Sequence, residues 1–555
     1  MRKLSMILFS ILALAAAVPA PAQRQAERTY ISTDKDVYVA GERIWCSAFC
    51  VDPATGRLSS VSGVAYLELH SATGMAATAR IALMGGRGAG AVDLPAALPT
   101  GNYRLIAYTA QNRAEKGYDY QGLASKTISV FNVLTRERVE NGVKVVSSDD
   151  YASMPQPKTT EDGALDLRWE EGRVVIDNRS DEALTLSLSV YHEDGILSNP
   201  NPGVVDFVSG LRSVGTVSFD DSVIPDYEGE VVHGRIVGFS QEMIPELTGK
   251  YAFFSSPSDK SDVYAAPIRE DGSLEFFTAG IYGDKECILE IEGVDPKLSC
   301  HVELQSPYVN PSIAPAEPLR LCESLAPALE RRSVAMQLGR RMNLDTLYEF
   351  LPLRYDGLFD ESLVVRYKLD DYTRFTTMEE VFTEFIPEIR PRRASDGTRD
   401  IKVRLSEVTG TTIFSSSKTM MMLDGVPVFN QQKIMDYDPL LVESVNIYPY
   451  THFIGNRVFE GLVNFVTYKR NLPSFQFDGN ARVIDYQGVC VPVAFSDGHP
   501  YRQTVCWQPI VQAAPGENVV TTISLPEYKG VFVVVAEGLS ASGKPFSRRI
   551  SFEVR

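Results

Sequence analysis

The sequence predicts a mainly β protein, a string of β-sandwiches with a small α/β domain and a short helical segment. Short apolar runs such as 43–51, 64–69 and 103–109 alternate with turn signals along most of the chain. Helix-forming residues dominate only between about 315 and 350. A length of 555 residues corresponds to about three to five domains.

The first 22 residues predict a signal peptide for export. Arg2 and Lys3 precede an apolar run at 6–18, and Ala-Pro-Ala at 20–22 provides a small-residue cleavage pattern. The alternative is an uncleaved membrane anchor, although the run is short for a bilayer span. No cysteine follows the cleavage pattern, so a bacterial lipid anchor is not indicated. We therefore expect an exported protein, periplasmic, associated with the outer membrane or at the cell surface, with no transmembrane segment after signal removal.

The charge balance narrows the class of partner. The chain carries 54 basic and 71 acidic residues, a formal net charge of −17. Such a surface repels phosphate backbones and anionic lipid surfaces. No nucleic-acid partner is expected, and a protein partner is favoured.

Residues 27–135 are predicted to form the first sandwich. The stretch 30–45 reads Tyr-Ile-Ser-Thr-Asp-Lys-Asp-Val-Tyr-Val-Ala-Gly-Glu-Arg-Ile-Trp, and 98–105 reads Leu-Pro-Thr-Gly-Asn-Tyr-Arg-Leu. These stretches resemble the opening and the closing strand of a macroglobulin-type domain. The motif residues are Asp34, Tyr38, Gly41, Glu42, Gly101 and Tyr103. The Cys-Gly-Glu-Gln thioester of macroglobulin inhibitors is absent, so the resemblance implies a sandwich domain and makes protease trapping doubtful.

The rest of the chain divides by composition. A polar linker at 136–162 precedes predicted sandwiches at 163–222 and 226–308. The helical connector follows at 315–350, and its arginines, 331, 332, 340 and 341, are interpreted as a solvated face. A C-terminal sandwich is predicted at 475–555.

Residues 372–470 are predicted to form the α/β domain. Thr377 and Glu380 fit a helix capping box. The run Leu-Asp-Gly-Val-Pro-Val at 423–428, the strand Val-Glu-Ser-Val at 442–445 and the strand at 461–467 follow in order. This order resembles the plug domain of TonB-dependent outer-membrane receptors. The plug-like motif comprises Asp424, Gly425, Pro427, Glu443, Gly455, Gly461 and Thr467. The segment 471–555 is too short to supply a transport barrel, so the resemblance implies a partner rather than transport.

Seven cysteines are present, an odd number that excludes complete internal pairing. Cys287 and Cys300 flank a turn signal, as do Cys490 and Cys506, so each pair could form a disulfide across a hairpin. The alternative for each pair is two small buried thiols.

No catalytic motif stands out. The chain lacks HExxH, G-x-S-x-G and GxxxxGK sequences, and the cluster His192-Glu193-Asp194 is interpreted as an acidic loop rather than a metal site. We expect no enzyme activity, cofactor or metal. The predicted function is a non-catalytic envelope scaffold or adaptor, an accessory partner of an outer-membrane barrel protein. The alternatives are a surface adhesin or glycan- or host-protein-binding module, a macroglobulin-like protease-interaction protein without a thioester, and an enzyme of unfamiliar type.

Overall fold

A computed structural model describes residues 24–123, 125–134, 143–155, 163–238, 244–258, 262–295, 300–353, 359, 361–393, 399–406, 413–415, 419–525 and 529–555. The predicted signal peptide at 1–22 and much of the predicted linker at 136–162 lie outside these ranges. No helix within them combines the length and the apolar character needed to cross a membrane.

The first sandwich consists of two sheets. Its elements are β1 (Arg28–Thr33), β2 (Val37–Val39), β3 (Arg43–Val51), β4 (Val64–Ser71), β5 (Gly74–Ala82), β6 (Arg87–Asp93), β7 (Gly101–Tyr108), α1 (Ala110–Ala114) and β8 (Ser125–Phe131). One sheet has the order β1-β3-β6 and the other β2-β8-β7-β4-β5, with only β2 and β8 parallel. Strand β3 is buried along nearly its whole length, because one face meets the core and the other meets neighbouring units.

Several strands of the next segment pair with strands from later parts of the chain. Its elements are β9 (Lys144–Val145), α2 (Ser148–Ala152), β10 (Leu165–Glu170), β11 (Arg173–Asn178), β12 (Leu184–Glu193) and α3 (Val204–Leu211). Helix α3 packs its apolar residues between the first sandwich and Leu539. The region 194–222 contributes no named strand within its described residues.

The third predicted sandwich also has two sheets. Its elements are β13 (Val231–Val237), α4 (Ile244–Leu247), β14 (Tyr251–Ser256), β15 (Asp262–Pro267), β16 (Ser273–Phe277), β17 (Asp284–Ile291) and β18 (His301–Leu304). The sheet orders are β16-β13-β18 and β15-β14-β17, and the second sheet is extended by a strand from the C-terminal region.

A helix and the α/β unit follow. Their elements are β19 (Arg320–Leu321), α5 (Ala326–Arg341), β20 (Glu349–Phe350), β21 (Val365–Lys368), α6 (Met378–Phe385), β22 (Ile389–Arg393), β23 (Arg399–Leu405), β24 (Ile413–Phe414), β25 (Met420–Leu423), β26 (Val426–Pro427), α7 (Gln431–Met435), β27 (Val442–Ile454) and β28 (Arg457–Thr467). The sheets are β21-β27-β28-β25-β26 and β22-β23-β24, around an apolar core that includes α6 and α7. Helix α6 begins as predicted, because the Thr377 side chain accepts a hydrogen bond from the Glu380 amide.

The C-terminal strands belong to two different sandwiches. They are β29 (Arg482–Gln487), β30 (Val493–Ala494), β31 (Thr504–Ala513), β32 (Asn518–Thr522), β33 (Gly530–Ser540) and β34 (Pro545–Val554). Strand β29 pairs with β17 of the third sandwich. Strands β31 to β34 form the sheets β10-β11-β32 and β31-β12-β33-β34 around one core.

The segments predicted as separate sandwiches at 163–222 and 475–555 therefore share one sandwich, and the structure differs here from the predicted boundaries. Strand β12 alternates well but needs a hydrogen-bonded neighbour on each side, and β31 and β33 supply both. The predicted fold class is confirmed: the described chain is mainly β, a string of sandwiches with a small α/β unit.

Candidate functional site

The macroglobulin-type motif lies at the junction of the first and second sandwiches. Asp34 follows β1 and is 1% exposed. Its Oδ1 accepts hydrogen bonds from the Tyr38 hydroxyl at 2.7 Å and the Trp45 amide at 3.1 Å. Its Oδ2 accepts from Lys35 Nζ at 3.1 Å and from the Thr504 hydroxyl of β31. Because Thr504 belongs to the second sandwich, this carboxylate links the two units.

Gly41 and Glu42, the next residues of the macroglobulin-type motif, form a turn that packs against helix α5. Gly41 has φ +94, and a Cβ there would lie 3.0 Å from Met336 Sδ, so both backbone and space favour glycine. Glu42 Oε2 accepts a hydrogen bond from the Val39 amide at 2.8 Å, which closes the turn.

Gly101 and Tyr103 hold the other end of the sandwich. Gly101 begins β7 and pairs with Val130 in β8. Tyr103 is fully buried, and its hydroxyl donates to the Pro99 carbonyl oxygen at 2.7 Å, four residues upstream. These two motif residues lie in the first sandwich and have a structural role.

A cleft of about 210 Å³ opens beside the Gly41–Glu42 turn. Trp45, Tyr348 and Phe495 form its aromatic cluster, with ring centroids 5.0 to 5.5 Å apart. The Arg502 guanidinium carbon lies 4.7 Å from the Tyr348 ring centroid and 4.9 Å from that of Phe495. No histidine or cysteine is among the described residues that line it.

The first plug-like residues form a locked turn between β25 and β26. Asp424 has φ +49 and its carboxylate accepts hydrogen bonds from the Thr467 amide at 2.6 Å, the Thr467 hydroxyl at 2.7 Å and the Leu472 amide at 2.9 Å. The Gly425 amide donates to Asn464 Oδ1 at 2.9 Å. Pro427 lies in β26 opposite Met422. The structure thus brings Asp424, Gly425 and Thr467 together, as residues that fix one turn.

The other plug-like residues lie along the β27–β28 hairpin. Glu443 forms a half-exposed ion pair with Arg470 at 3.3 Å. Gly461 has φ +78, and a Cβ there would lie 3.2 Å from Val403 Cβ. Gly455, at the hairpin tip, has φ +56, and a Cβ there would lie 2.7 Å from the Ala265 carbonyl oxygen of the third sandwich.

That hairpin joins the α/β unit to the third sandwich. One shared apolar cluster contains Phe253 and Val263 from the sandwich and Tyr448, Ile454, Phe459 and Leu462 from the hairpin. Arg457 donates to both carboxylate oxygens of Glu292. Gly455 is therefore part of an interface between units.

Sequence reasoning missed a buried polar junction between the first and third sandwiches. Glu230 accepts hydrogen bonds from Arg80 of β5 and from the Tyr486 hydroxyl of β29 at 3.0 Å. Asp226, nearby in the chain, accepts from the Tyr66 hydroxyl at 2.8 Å, and burial raises the pKa of Asp226 to about 6. The one signal in the sequence was a charged residue, Arg80, within the strand β5. That signal does not identify the partners of Arg80, because they lie far away in the sequence.

The seven cysteines are all described and are all free thiols. Neither predicted disulfide is formed. Cys287 and Cys300 share the core of the third sandwich. Cys490 packs against the first sandwich and Cys506 lies in the core of the second, so the predicted hairpin between them does not exist. Burial raises the pKa of the Cys287 thiol to about 12, which makes it a poor nucleophile at neutral pH.

The cluster His192-Glu193-Asp194 serves helix α5. Both carboxylate oxygens of Asp194 accept hydrogen bonds from Arg332, which also donates to the Val37 carbonyl oxygen at 2.9 Å. Arg332 is buried, so the predicted solvated face does not include it. Within the described residues, no group of three or more His, Cys, Asp or Glu side chains is arranged to hold a metal ion.

Comparisons with known proteins give structural resemblances only. No protein-family model matches the chain, and no curated protein matches it. Trypsin-activated alpha-2-macroglobulin from Escherichia coli aligns at 9% identity and a TM-score of 0.24, covering 96% of this chain and 42% of that one. Salmonella alpha-2-macroglobulin reacted with methylamine aligns at 8% identity and a TM-score of 0.16, covering 96% and 24%. The Escherichia coli adhesin FdeC aligns at 12% identity and a TM-score of 0.15, covering 53% and 62%.

The chain thus spans less than half the length of these macroglobulins. Since scores this low say nothing about function, function must be inferred from the contacts within this chain.

Proposed function

We propose that the chain is a non-catalytic scaffold of a bacterial cell envelope, an adaptor that holds a protein partner of the outer membrane. One observation supports this most directly. The buried carboxylates of both motifs, Asp34 and Asp424, are fully engaged in hydrogen bonds that join or stiffen units. Hydrogen bonds of this kind hold neighbouring elements in a fixed arrangement, which suits a scaffold.

The α/β unit provides the docking surface. It is anchored to the third sandwich through the β27–β28 hairpin, while the β22–β23 hairpin projects exposed arginines. Arg392 and Arg393 are exposed and have no ion-pair partner within the described residues. Arg390 lies over the Phe414 ring at 4.2 Å. A basic edge on a chain of net charge −17 favours an acidic protein surface as its partner.

Pro391 shapes how that surface is used. It lies in the middle of the edge strand β22 and has no amide hydrogen to donate to an added strand. We therefore expect the partner to be held by side-chain charge rather than by β-strand addition.

A pull-down from solubilised outer membranes tests the proposal. The full chain without its predicted signal is used as bait and compared with the double variant Arg392→Glu/Arg393→Glu. A matched control, Arg320→Glu/Arg331→Glu, changes two exposed arginines away from the hairpin and alters net charge equally. We expect one barrel protein, identified by mass spectrometry, to be recovered by the wild type and the control and reduced about tenfold or more by the hairpin variant.

Failure of the wild-type chain to recover a barrel protein would contradict the proposal. Equal recovery of the barrel protein by all three baits would show that the β22–β23 hairpin does not bind the partner. Protease treatment of intact cells separates the adaptor from the adhesin alternative, because only a chain displayed on the cell surface is cleaved.

A further inference from the structure

A cavity of about 630 Å³ lies between the third sandwich and the α/β unit. Strand β17 forms one wall, the segment leading into α7 forms another, and Asp478 and Asn480 close a third. Its size is typical of a small-molecule site. Nothing in the proposed scaffold function requires it.

Glu290 of β17 is the unusual residue in this wall. It is 8% exposed, and its carboxyl group forms no hydrogen bond or ion pair with any described residue. Burial, with a smaller contribution from the Asp478 charge, raises the pKa of Glu290 to about 8, and Lys433 acts in the opposite direction. A buried carboxyl group without a partner is costly to ionise unless a cation enters beside it.

The other charged groups around the cavity are already paired. Glu292 binds Arg457, and Asp478 binds Lys433 at 2.6 Å. Asp400 binds Lys402 at 2.8 Å, and Arg399 binds Glu379 at 2.7 Å. Every charged side chain that lines the cavity, apart from Glu290, thus has an ion-pair partner among the described residues.

Three amide side chains that line the cavity donate hydrogen bonds to other groups of the protein. Gln431 Nε2 donates to the Thr419 carbonyl oxygen at 3.3 Å and Gln432 Nε2 donates to Asp436 at 2.7 Å. Asn480 Nδ2 donates to the Ile291 carbonyl oxygen at 2.7 Å. The Glu290 carboxyl group therefore remains the ionisable group of the lining to which a ligand that donates hydrogen bonds can bind.

Two aromatic rings complete the cavity. Phe429 and Phe459 both line it and both pack on Phe253, with ring centroids 4.7 and 6.3 Å from that of Phe253. Aromatic faces beside a carboxylate are a favourable surrounding for an ammonium group that carries an apolar body.

We propose that this cavity binds a small organic amine, with its ammonium group against Glu290 and its apolar body against Phe429 and Phe459. On binding at neutral pH, the Glu290 carboxyl group releases its proton to solvent and the resulting carboxylate pairs with the ammonium group. The site adjoins the docking surface on the β22–β23 hairpin, because Arg399 and Asp400 of β23 line the cavity.

Isothermal titration calorimetry of the full chain without its predicted signal tests this inference. The probe is phenethylamine, and 2-phenylethanol is its neutral counterpart of the same shape. We expect the amine to bind about tenfold or more tightly than the alcohol, because a charge-assisted hydrogen bond to Glu290 forms only with the amine. Repeating the titration at pH 7 in buffers of different ionisation enthalpy should show proton release on amine binding.

Two variants make the test specific. Glu290→Gln, which resembles the protonated carboxyl group in shape, should lose the preference for the amine and the proton release. Glu286→Gln, an exposed residue of the same strand outside the cavity, should retain both. Circular dichroism and thermal unfolding establish that each variant is folded. Equal affinity for the two probes, binding of neither at millimolar concentration, or an unchanged preference in Glu290→Gln would overturn the proposal.

Discussion

The Thr504 hydroxyl donates a hydrogen bond to Asp34 Oδ2, although 470 positions separate the two residues. A second bond crosses the same junction, since the Ser189 hydroxyl donates to the Asp34 carbonyl oxygen at 2.6 Å. Asp34 thus accepts two of the hydrogen bonds that join the first and second sandwiches. A motif that the sequence indicates as local is in fact a contact between domains.

Removing the Asp34 carboxylate should destabilise the whole protein. Asp34→Ala leaves the Tyr38 hydroxyl, the Trp45 amide and the Lys35 ammonium group without their shared acceptor, and a loss of about 3 kcal/mol in the free energy of unfolding is expected. Urea unfolding followed by circular dichroism measures it.

The control for that experiment is Asp181→Ala, an exposed aspartate in a loop of the second sandwich. It should change the free energy of unfolding by less than about 0.5 kcal/mol. Equal losses in the two variants would show that the Asp34 junction is not important for stability.

Local signals in the sequence identify elements well but not their partners. The capping residues Thr377 and Glu380 begin α6 as predicted, because a cap depends on residues three apart. Strand β12 lies in the sandwich predicted at 163–222, yet its neighbours β31 and β33 lie over three hundred residues away. Pairing at that distance depends on which cores can form together, and a single sequence does not contain that information in readable form.

Arg332 shows the same limit for a single side chain. Its charge and helical position predict exposure, but Asp194 and the Val37 carbonyl oxygen meet it on the packed face of α5. Glu290 likewise lies in the sandwich predicted at 226–308, and only the arrangement of two units around it makes it a buried carboxyl group in a cavity. Binding sites between units are therefore the part of this molecule least accessible to sequence reasoning.

The hairpin tip at Gly455 should not tolerate a side chain. In Gly455→Ala the new Cβ meets the Ala265 carbonyl oxygen at 2.7 Å and the residue keeps a positive φ, so a loss of about 2 to 3 kcal/mol is expected. Hydrogen exchange should also become faster in the hairpin tip, where the two units separate.

Gly516→Ala is the matched substitution. Gly516 has φ +72 and nothing lies within 4 Å of a Cβ built there. The substitution should therefore lower the free energy of unfolding only by the cost of a side chain at positive φ, about 1 kcal/mol. If both variants unfold at the same urea concentration, close packing of the hairpin on the third sandwich is not the reason for the glycine.

The cysteines should remain thiols in the isolated protein. Alkylation under denaturing, non-reducing conditions should add seven groups, one for each of the residues 46, 50, 287, 300, 322, 490 and 506. Alkylation of Cys287 without denaturant should be much slower, because the thiolate is the reactive form and burial raises the pKa of Cys287 to about 12. Intact mass spectrometry counts the adducts, and five adducts would show a disulfide that the structure lacks.

The free energy of unfolding should depend on Glu290 in a defined pH window. The pKa of this carboxyl group is about 8 in the folded chain, against 4.5 as its ordinary value. Between these values the folded state holds a proton that the unfolded state has lost, so stability falls as pH rises from about 4.5 to 8.

Glu290→Gln has no such proton, and near pH 9 it should be more stable than the wild type by on the order of a few kcal/mol, with little difference near pH 4. Asp478 and Lys433, the charged neighbours of Glu290, pair with each other in both proteins and should contribute equally. Urea unfolding at a series of pH values measures the difference, and parallel curves for the two proteins would mean that Glu290 is not protonated in the folded state.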